Sequence, residues 1–185
     1  MAVFVVLFLL LTNASRLEAQ WSRTERTGDV LHVLIPAVAF AATVGLHDSE
    51  GRTQFLKSFL TNIAATGALK FGISRERPDS SDDNSFPSGH TSTAFQGASF
   101  IHFRYGLGKA WPAYLGATFV AFSRVHADKH YLGDVMAGAA LGTLSSLLFT
   151  DRFDGVEVTP VAEAGRYGVR IQVGLRSPRT FPPLL

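Results

Sequence analysis

The chain has 185 residues, a length typical of one domain, and 46% of them are hydrophobic against 17% charged. This apolar content excludes a largely disordered chain, and 17 Lys and Arg against 15 Asp and Glu, without a long basic run, argue against a nucleic-acid surface. No cysteine is present, which excludes disulfides, thiolate metal sites and cysteine nucleophiles.

An unbroken apolar run from Val3 to Leu11 opens the chain, and small and polar residues follow it up to Gln20. Nine helical residues rise only about 14 Å, well short of a hydrocarbon core of about 30 Å. The run therefore predicts a secretory signal peptide cleaved near Ala19. Because no Lys or Arg precedes the run, an uncleaved anchor stays open, and residues 1–20 are predicted to be a signal peptide or membrane anchor.

Apolar residues at helical spacing predict five helices, at about 29–47, 53–72, 90–105, 110–124 and 130–150. In the second helix the predicted buried face comprises Phe55, Leu56, Phe59, Leu60, Ile63 and Leu69, and the wetter face comprises Gln54, Lys57, Ser58, Thr61 and Asn62. Short connections favour antiparallel neighbours. Residues 21–152 are thus predicted to form an all-α antiparallel bundle of about five core helices.

Helix length does not decide whether this bundle lies in a membrane. The apolar stretches Val30 to Leu46 and Tyr131 to Phe149 reach the lower limit for a span. The third and fourth predicted helices, at about 15 to 16 residues, rise only about 22 to 24 Å. A membrane-embedded bundle and a soluble exported bundle both remain open at this point.

The C-terminal region has a different pattern, because apolar and polar residues alternate in two runs beginning at Val156 and Tyr167, with Ala164, Gly165 and Arg166 between them. Period two with a glycine-containing turn predicts a hairpin. Residues 153–185 are predicted to be a small β-hairpin and tail, without chemistry of their own.

Three polar clusters interrupt the apolar middle of the chain: Lys70 to Pro78, Pro87 to His90, and Ser123 to Asp134. In an antiparallel bundle, helices two and four end at the pole where helices three and five begin. The direction of the chain alone therefore brings the three clusters to one pole.

The cationic members of these clusters predict a phosphate pocket. Lys70, Arg77 and Arg124, together with the Ser88 hydroxyl and the Gly89 amide at a helix N-terminus, suit a multiply charged tetrahedral anion. Such donors would also stabilise charge during phosphoryl transfer.

The remaining polar residues predict acid–base and nucleophilic chemistry. His130 and Asp134 are one helical turn apart, so the carboxylate can hold one ring nitrogen and leave the other free to attack phosphorus. His90 is then placed to protonate the leaving oxygen.

The pattern Lys, six residues, Arg-Pro; Pro-Ser-Gly-His; Ser-Arg, five residues, His, three residues, Asp resembles the phosphatidic acid phosphatase type 2 superfamily. The matching region runs from about Leu56 to Leu148. The resemblance implies a helical bundle and metal-independent dephosphorylation through a phosphohistidine, with no cofactor. It implies that His130 is the nucleophile, that Asp134 orients it, that His90 is the general acid and then base, and that the phosphoryl oxygens are held by Lys70, Arg77, Ser88, Gly89 and Arg124.

The expected function is hydrolysis of a phosphomonoester or pyrophosphate of a lipid, such as phosphatidic acid, phosphatidylglycerophosphate or a polyprenyl diphosphate. The expected setting is a membrane with the active site on the periplasmic side, without a metal, a nucleic acid or an obligate protein partner. The alternatives are a soluble exported acid phosphatase of broad specificity, a vanadium haloperoxidase, and a bundle that binds phospholipid without turnover.

Several residues near these motifs are expected to have no role in the chemistry. Arg75 and Lys129 are expected to be solvated charges, and His32 is expected to be structural. The acidic run from Asp79 to Asp83 lacks the spacing of a calcium loop.

Overall fold

A computed structural model describes residues 2–153, 156–163 and 166–173, with side chains from Arg23 to Phe153. The chain divides into two compact units, Met1–Asp151 and Arg152–Leu185. In the described part of the first unit, the secondary structure consists of five α-helices: α1 Ala2–Gly45, α2 Ser49–Gly72, α3 Gly89–Tyr105, α4 Leu107–His126 and α5 Leu132–Phe149. The all-α prediction is confirmed for this unit.

Two antiparallel strands are described in the second unit, β1 Val156–Glu163 and β2 Arg166–Val173. Their register places Val156 opposite Val173. The predicted turn at 164–165 and the tail at 174–185 lie outside the described residues.

Helix lengths differ from the sequence prediction in two places. The N-terminal apolar run and the first predicted helix are one continuous helix, α1. Only Gly106 separates α3 from α4; it has a φ of 94°, which suits a glycine C-cap. α3 and α4 have 17 and 20 residues and rise about 26 and 30 Å, so the length argument against a membrane span no longer holds for α4.

The helix ends lie at two opposite poles of the bundle. At one of them, which we name the cavity pole, α2 and α4 end and α3 and α5 begin, as predicted. At the opposite pole, where α1, α3 and α5 end, Asp48 caps α2 through the Gly51 amide at 2.8 Å. The same carboxylate pairs with the buried Arg104 of α3, through Nε at 2.7 Å and Nη2 at 2.5 Å.

Close backbone packing fixes α5 against the beginning of α3. A Cβ atom on Gly138 would lie 2.5 Å from the Ser88 carbonyl oxygen, and one on Gly142 would overlap the Ser92 carbonyl. These two glycines therefore let α5 approach the α3 backbone at the residues that lead into the cavity pole.

The buried face of α2 is the opposite of the predicted one. Its buried side chains include Gln54, Ser58, Asn62 and Thr66 as well as Phe55, whereas the exposed ones include Leu56, Leu60, Ile63 and Leu69. Amphipathic spacing locates two faces but does not say which one is inside, and here the mainly polar face packs inward. The prediction was wrong for most of this helix; it holds for Phe55 and Lys57, and Phe59 is partly buried against the same core cluster as Phe55.

α3 supplies hydrogen-bond partners to the inward polar face of α2, although Asn62 Nδ2 and Gln96 Oε1 have none among the described residues. Gln96 donates to Ser58 at 2.9 Å, and Ser92 donates to Asn62 at 2.5 Å. Ser92 also lies 3.0 Å from the Thr66 hydroxyl. The bundle thus combines a hydrogen-bonded interior with an apolar outer surface on α2.

Among the described residues, two helical segments are long and apolar enough to cross a bilayer, Arg23–Gly45 and Leu132–Phe149. Large apolar side chains are exposed on both segments, including Val30 at 62% and Leu148 at 68%. Together with α2, they give the bundle an apolar outer surface on three of its helices.

Candidate active site

A cavity of about 620 Å³ opens at the cavity pole. Its walls come from α1, α2, α3, α4 and the connections that follow α2 and α4, and its lining residues are Glu25, Asp29, His32, Lys70, Arg77, Ser81, Asp82, Gly89, His90, Arg124, Lys129 and His130. Every predicted site residue except Ser88 and Asp134 is therefore in this lining. The two histidines that sequence reasoning paired, His90 and His130, share one cavity.

Ser88 lies directly behind this lining, as the N-cap of α3. Its hydroxyl is fully buried, lies 3.0 Å from the Thr91 hydroxyl and accepts from the Thr91 amide at 3.5 Å. Its amide donates to the Asp134 carbonyl at 3.0 Å. Ser88 thus ties the beginning of α3 to α5, and its contact with phosphate stays a prediction.

Asp134 is fully buried and sits beside His130. Its Oδ2 lies 4.0 Å from His130 Nδ1, which is within ion-pair range but longer than a hydrogen bond. Nδ1 has no hydrogen-bond partner among the described residues. The predicted contact is therefore close without being a hydrogen bond in this structure.

The Asp134 carboxylate is held by other groups. Arg75 Nη1 donates to Oδ1 at 2.7 Å, and the Ser85 hydroxyl donates to Oδ2 at 2.5 Å. The Tyr131 amide also donates to Oδ2, at 2.9 Å, so this carboxylate caps the start of α5. Arg75 was expected to be a solvated charge and is instead the cationic partner of Asp134; no spacing in the sequence distinguishes it from its neighbours.

The environment of His130 favours a neutral ring. The residue is 3% exposed. Burial lowers the pKa of His130 to about 4, and the positive charges of Arg77 and Lys70 act in the same direction. A neutral imidazole keeps a lone pair on one nitrogen at physiological pH, as a nucleophile requires.

Two cations of the cavity are paired with carboxylates of the connection after α2. Arg77 Nε contacts Asp82 at 2.6 Å, and Lys129 contacts Asp79 at 2.6 Å. The hydrogen bonds from Lys129 and Arg77 hold the pKa values of Asp79 and Asp82 below their usual range. These carboxylates of the acidic run therefore neutralise cavity cations, and Lys129 is a lining residue rather than a solvated charge.

Lys70 differs from the arginines because its Nζ donates to a backbone oxygen, that of Asn84, at 2.6 Å. Gly89 lies next to it: a Cβ atom there would meet Lys70 Cε and Thr66 Cγ2 at 3.8 Å, an ordinary van der Waals distance. The protein itself thus leaves room for a side chain at Gly89.

α1 contributes an acid and an imidazole that the sequence motifs do not include. Asp29 Oδ1 lies 2.9 Å from Arg124 Nη1 and 3.2 Å from His90 Nε2. The His32 ring centroid lies 3.9 Å from that of His90. His32 was expected to be structural; it instead lines the cavity, since one helical turn after Asp29 brings it to the same face of α1.

One group of side chains in the described residues has the composition of a metal site. Asp29, His32 and His90 each offer one ligand atom, and these atoms lie within 4.8 Å of one another. Nitrogen and carboxylate donors suit zinc or a similar ion.

Comparisons with known proteins point to one family. The chain is 40% identical to the lipid A 1-phosphatase of Porphyromonas gingivalis over 142 residues, covering 66% of this chain and 32% of that protein. It is 29% identical to the lipid A 4'-phosphatase of Helicobacter pylori over 140 residues, covering 70% of each. The chain therefore spans about a third of the length of the first relative and about two thirds of the second.

The fold is also shared with a solved structure. The crystal structure of Aquifex aeolicus LpxE matches with a TM-score of 0.57 and 22% identity, covering 78% of this chain and 92% of that one. The sequence model of the PAP2 superfamily matches residues 52–155, more than half of the chain, and includes all eight predicted site residues. The chain belongs to the PAP2 superfamily.

Proposed function

We propose that this protein is a membrane-bound lipid phosphatase that works through a phosphohistidine on His130. The observation that carries the proposal is the single cavity in which His90, His130 and four cationic side chains meet, at the end of a bundle with an apolar outer surface. A phosphate on a lipid suits this placement, because the headgroup can enter the cavity while the chains stay in the bilayer.

The relatives suggest which lipid to test first. Two of them are lipid A phosphatases by name, at 40% and 29% identity. We therefore place a phosphorylated saccharide lipid of the lipid A kind ahead of phosphatidic acid, phosphatidylglycerophosphate and a polyprenyl diphosphate. All four present a phosphate at the membrane surface, and the cation set alone does not separate them.

The proposed reaction has two steps. His130 attacks phosphorus with one ring nitrogen, the bond to the ester oxygen breaks, and His90 supplies a proton to that oxygen. Lys70, Arg77, Arg124 and the Gly89 amide would stabilise the equatorial oxygens. Water then attacks the phosphohistidine, His90 accepts its proton, and phosphate leaves.

In this scheme Asp134 acts on the charge of His130. The ring becomes cationic when it carries the phosphoryl group, and a carboxylate 4.0 Å from Nδ1 stabilises that charge. Ser88 would act through its position at the start of α3, next to Gly89.

Membrane embedding is supported by the inside-out pattern of α2. A polar interior with Leu56, Leu60 and Ile63 outside is stable where the surroundings are lipid, and it would expose a large apolar surface in water. This pattern favours the membrane enzyme over a soluble exported phosphatase.

We propose that the cavity faces the exported side of the membrane. Cleavage near Ala19 would leave the new N-terminus on that side, six residues from the cavity residue Glu25. Because the chain has no cysteine, orientation can be measured without background. Ser74→Cys at the cavity pole should react with an impermeant maleimide in intact cells, and Glu50→Cys at the opposite pole should react only after lysis; the reverse result overturns the orientation.

Activity is tested with protein purified in detergent and the four lipids named above, by release of inorganic phosphate. Radiolabelled substrate should leave an acid-labile, base-stable label on the wild type and none on His130→Ala. His126→Ala, one turn earlier and outside the cavity lining, is the matched control and should keep the label. Turnover by His130→Ala equal to the wild type would overturn the proposal.

A further inference from the structure

Asp29 contacts two residues of the proposed site, the phosphate ligand Arg124 and the general acid His90. One carboxylate oxygen, Oδ1, contacts both Arg124 Nη1 at 2.9 Å and His90 Nε2 at 3.2 Å. Arg124 is 3% exposed, and its guanidinium also donates to the Glu25 carbonyl at 2.8 Å and to the Ser123 hydroxyl at 3.2 Å. Asp29 belongs to α1 and precedes residues 52–155, so the family match does not assign it a role.

The charges around His90 show why this carboxylate matters. His90 shares a cavity with His32 from α1, Lys70 from α2, Arg124 from α4 and His130 from the connection after α4. Burial lowers the pKa of His90 to about 4, the His32 ring and the charge of Arg124 act in the same direction, and Asp29 acts against them. The other lining carboxylates are Asp82, which is paired with Arg77, and Glu25.

We propose that Asp29 is a positioning residue that fixes the ring of His90 through Nε2 and competes with phosphate for Arg124. The inference rests on the proposed function. The general-acid step of the proposed function uses the His90 imidazolium, which carries a proton on each ring nitrogen. Asp29 accepts the Nε2 proton, which fixes the ring and leaves the Nδ1 proton for the leaving oxygen.

The proton balance keeps Asp29 ionised throughout. As the P–O bond breaks, the Nδ1 proton of His90 moves to the leaving oxygen and the ring becomes neutral. When water attacks the phosphohistidine, His90 takes one proton from that water at Nδ1, the P–N bond breaks, and the imidazolium is restored beside Asp29.

The contact with Arg124 has a second effect. Arg124 is one of the predicted phosphate ligands, and in this structure its Nη1 contacts the Asp29 carboxylate. Incoming phosphate must therefore share or displace that contact, which weakens the binding of phosphate as substrate and as product. Weaker binding of the phosphate product allows faster release after each turnover.

Asp29→Asn tests both effects, because the first predicts slower turnover and the second predicts tighter binding of phosphate. The rate kcat for an alkyl phosphate, a poor leaving group, should fall about tenfold or more, since general acid catalysis contributes ~10²–10⁴-fold. The rate for p-nitrophenyl phosphate should fall less than threefold, because p-nitrophenolate needs no proton. The inhibition constant of inorganic phosphate should decrease, because Arg124 no longer has an anionic partner.

Three further variants make the result specific. Glu25→Gln removes a carboxylate from the same helix and the same cavity wall, and it should leave the ratio of the two rates unchanged. Asp29→Glu should recover part of the alkyl phosphate rate. In the double variant Asp29→Asn/His90→Ala, the alkyl phosphate kcat should equal that of His90→Ala alone, because Asp29 affects this rate through His90, whereas its contact with Arg124 affects phosphate binding.

Equal losses on the two substrates, a weaker affinity for phosphate, or losses that add in the double variant would each overturn the inference. Thermal unfolding of each variant in detergent identifies a folding defect. If Asp29→Asn has such a defect, the ratio of the alkyl phosphate rate to the p-nitrophenyl phosphate rate is measured in Asp29→Glu instead. If the wild type releases no phosphate from any substrate, the proposed function has failed; if the wild type is active and Asp29→Asn behaves like it, only the inference about Asp29 has failed.

Discussion

Oδ2 of Asp134 lies 4.0 Å from Nδ1 of His130 and accepts hydrogen bonds from Ser85 and the Tyr131 amide instead. With Arg75 on its other oxygen, the carboxylate is fixed on both sides. A ring that gains positive charge on phosphorylation would therefore be drawn toward a carboxylate that stays in place.

Asp134→Asn should lower kcat by about 100-fold, because the intermediate loses a nearby negative charge and the Tyr131 amide at the start of α5 loses a charged acceptor. Steady-state hydrolysis of p-nitrophenyl phosphate measures the effect. Asp128→Asn makes the same chemical change at an exposed position in the turn before His130 and should keep at least half of the activity. A wild-type rate for Asp134→Asn would contradict the role given to this carboxylate.

The variants Gly89→Ala and Gly138→Ala test two different roles of glycine: close approach of the backbone to the ligand at Gly89, and close packing of α5 against α3 at Gly138. At Gly89 a Cβ atom would meet only side-chain atoms at 3.8 Å, so the variant should keep its unfolding temperature and lose affinity for phosphate if the backbone approaches the ligand there. At Gly138 the Cβ atom would lie 2.5 Å from the Ser88 carbonyl oxygen, so the unfolding temperature should drop. Unfolding in detergent and phosphate inhibition are the two measurements; unchanged phosphate affinity in Gly89→Ala removes that glycine from the binding site.

The low pKa of His130 can be observed directly. In protein with labelled histidine, the ring signal that disappears in His130→Ala should titrate near pH 4, because burial and the charges of Arg77 and Lys70 lower the pKa. Arg77→Met removes one of those charges and should move the midpoint upward, whereas Arg52→Met, at the opposite pole, should not. A midpoint close to 6.5 in the wild type would mean that the cavity is better hydrated than its geometry indicates.

At the opposite pole, Asp48→Asn should destabilise the bundle by about 3 kcal/mol, because it leaves the buried Arg104 without its main counter-charge. Asparagine still caps a helix, so the loss reports the ion pair rather than the cap. Glu50→Gln is the control: its carboxylate is 59% exposed and 3.9 Å from Arg104, and its loss should cost less than about 1 kcal/mol. Equal destabilisation by the two variants would rule out a special contribution from Asp48.

Chelation with EDTA should leave turnover unchanged, because the proposed scheme assigns the neutralisation of phosphoryl charge to Lys70, Arg77 and Arg124. Phosphate release before and after chelation is the measurement, and strong loss of activity would require a different mechanism. A rise in activity would instead indicate an inhibitory ion held by Asp29, His32 and His90, and His32→Asn should remove that rise.

The residues of the cavity could be predicted because direction of chain, rather than detailed packing, brings them together. Once α2 and α3 are antiparallel, the residues that end one and begin the other, Lys70 and His90, must share a pole. The position of Arg124 and His130 follows from the same argument for α4 and α5.

The faces of α2 and the contribution of α1 could not be predicted in the same way. Periodicity gives the same signal for a helix with an apolar inside and for one with an apolar outside, so Leu56 and Asn62 were assigned to the wrong faces. Asp29 and His32 lie in a helix whose pattern is mainly apolar, and only the packing of α1 against α3 and α4 reveals that they reach His90 and Arg124.

The hydrogen bonds that join α2 to α3 also bear on how the chain is assembled. Asn62 and Gln96, both fully buried, would be left facing hydrocarbon if either helix entered the bilayer alone. α2 and α3 should therefore leave the insertion machinery as a helical hairpin, with Ser58 and Ser92 already engaged, and the thirty-odd residues that complete this hairpin must be synthesised before α2 becomes stable in lipid.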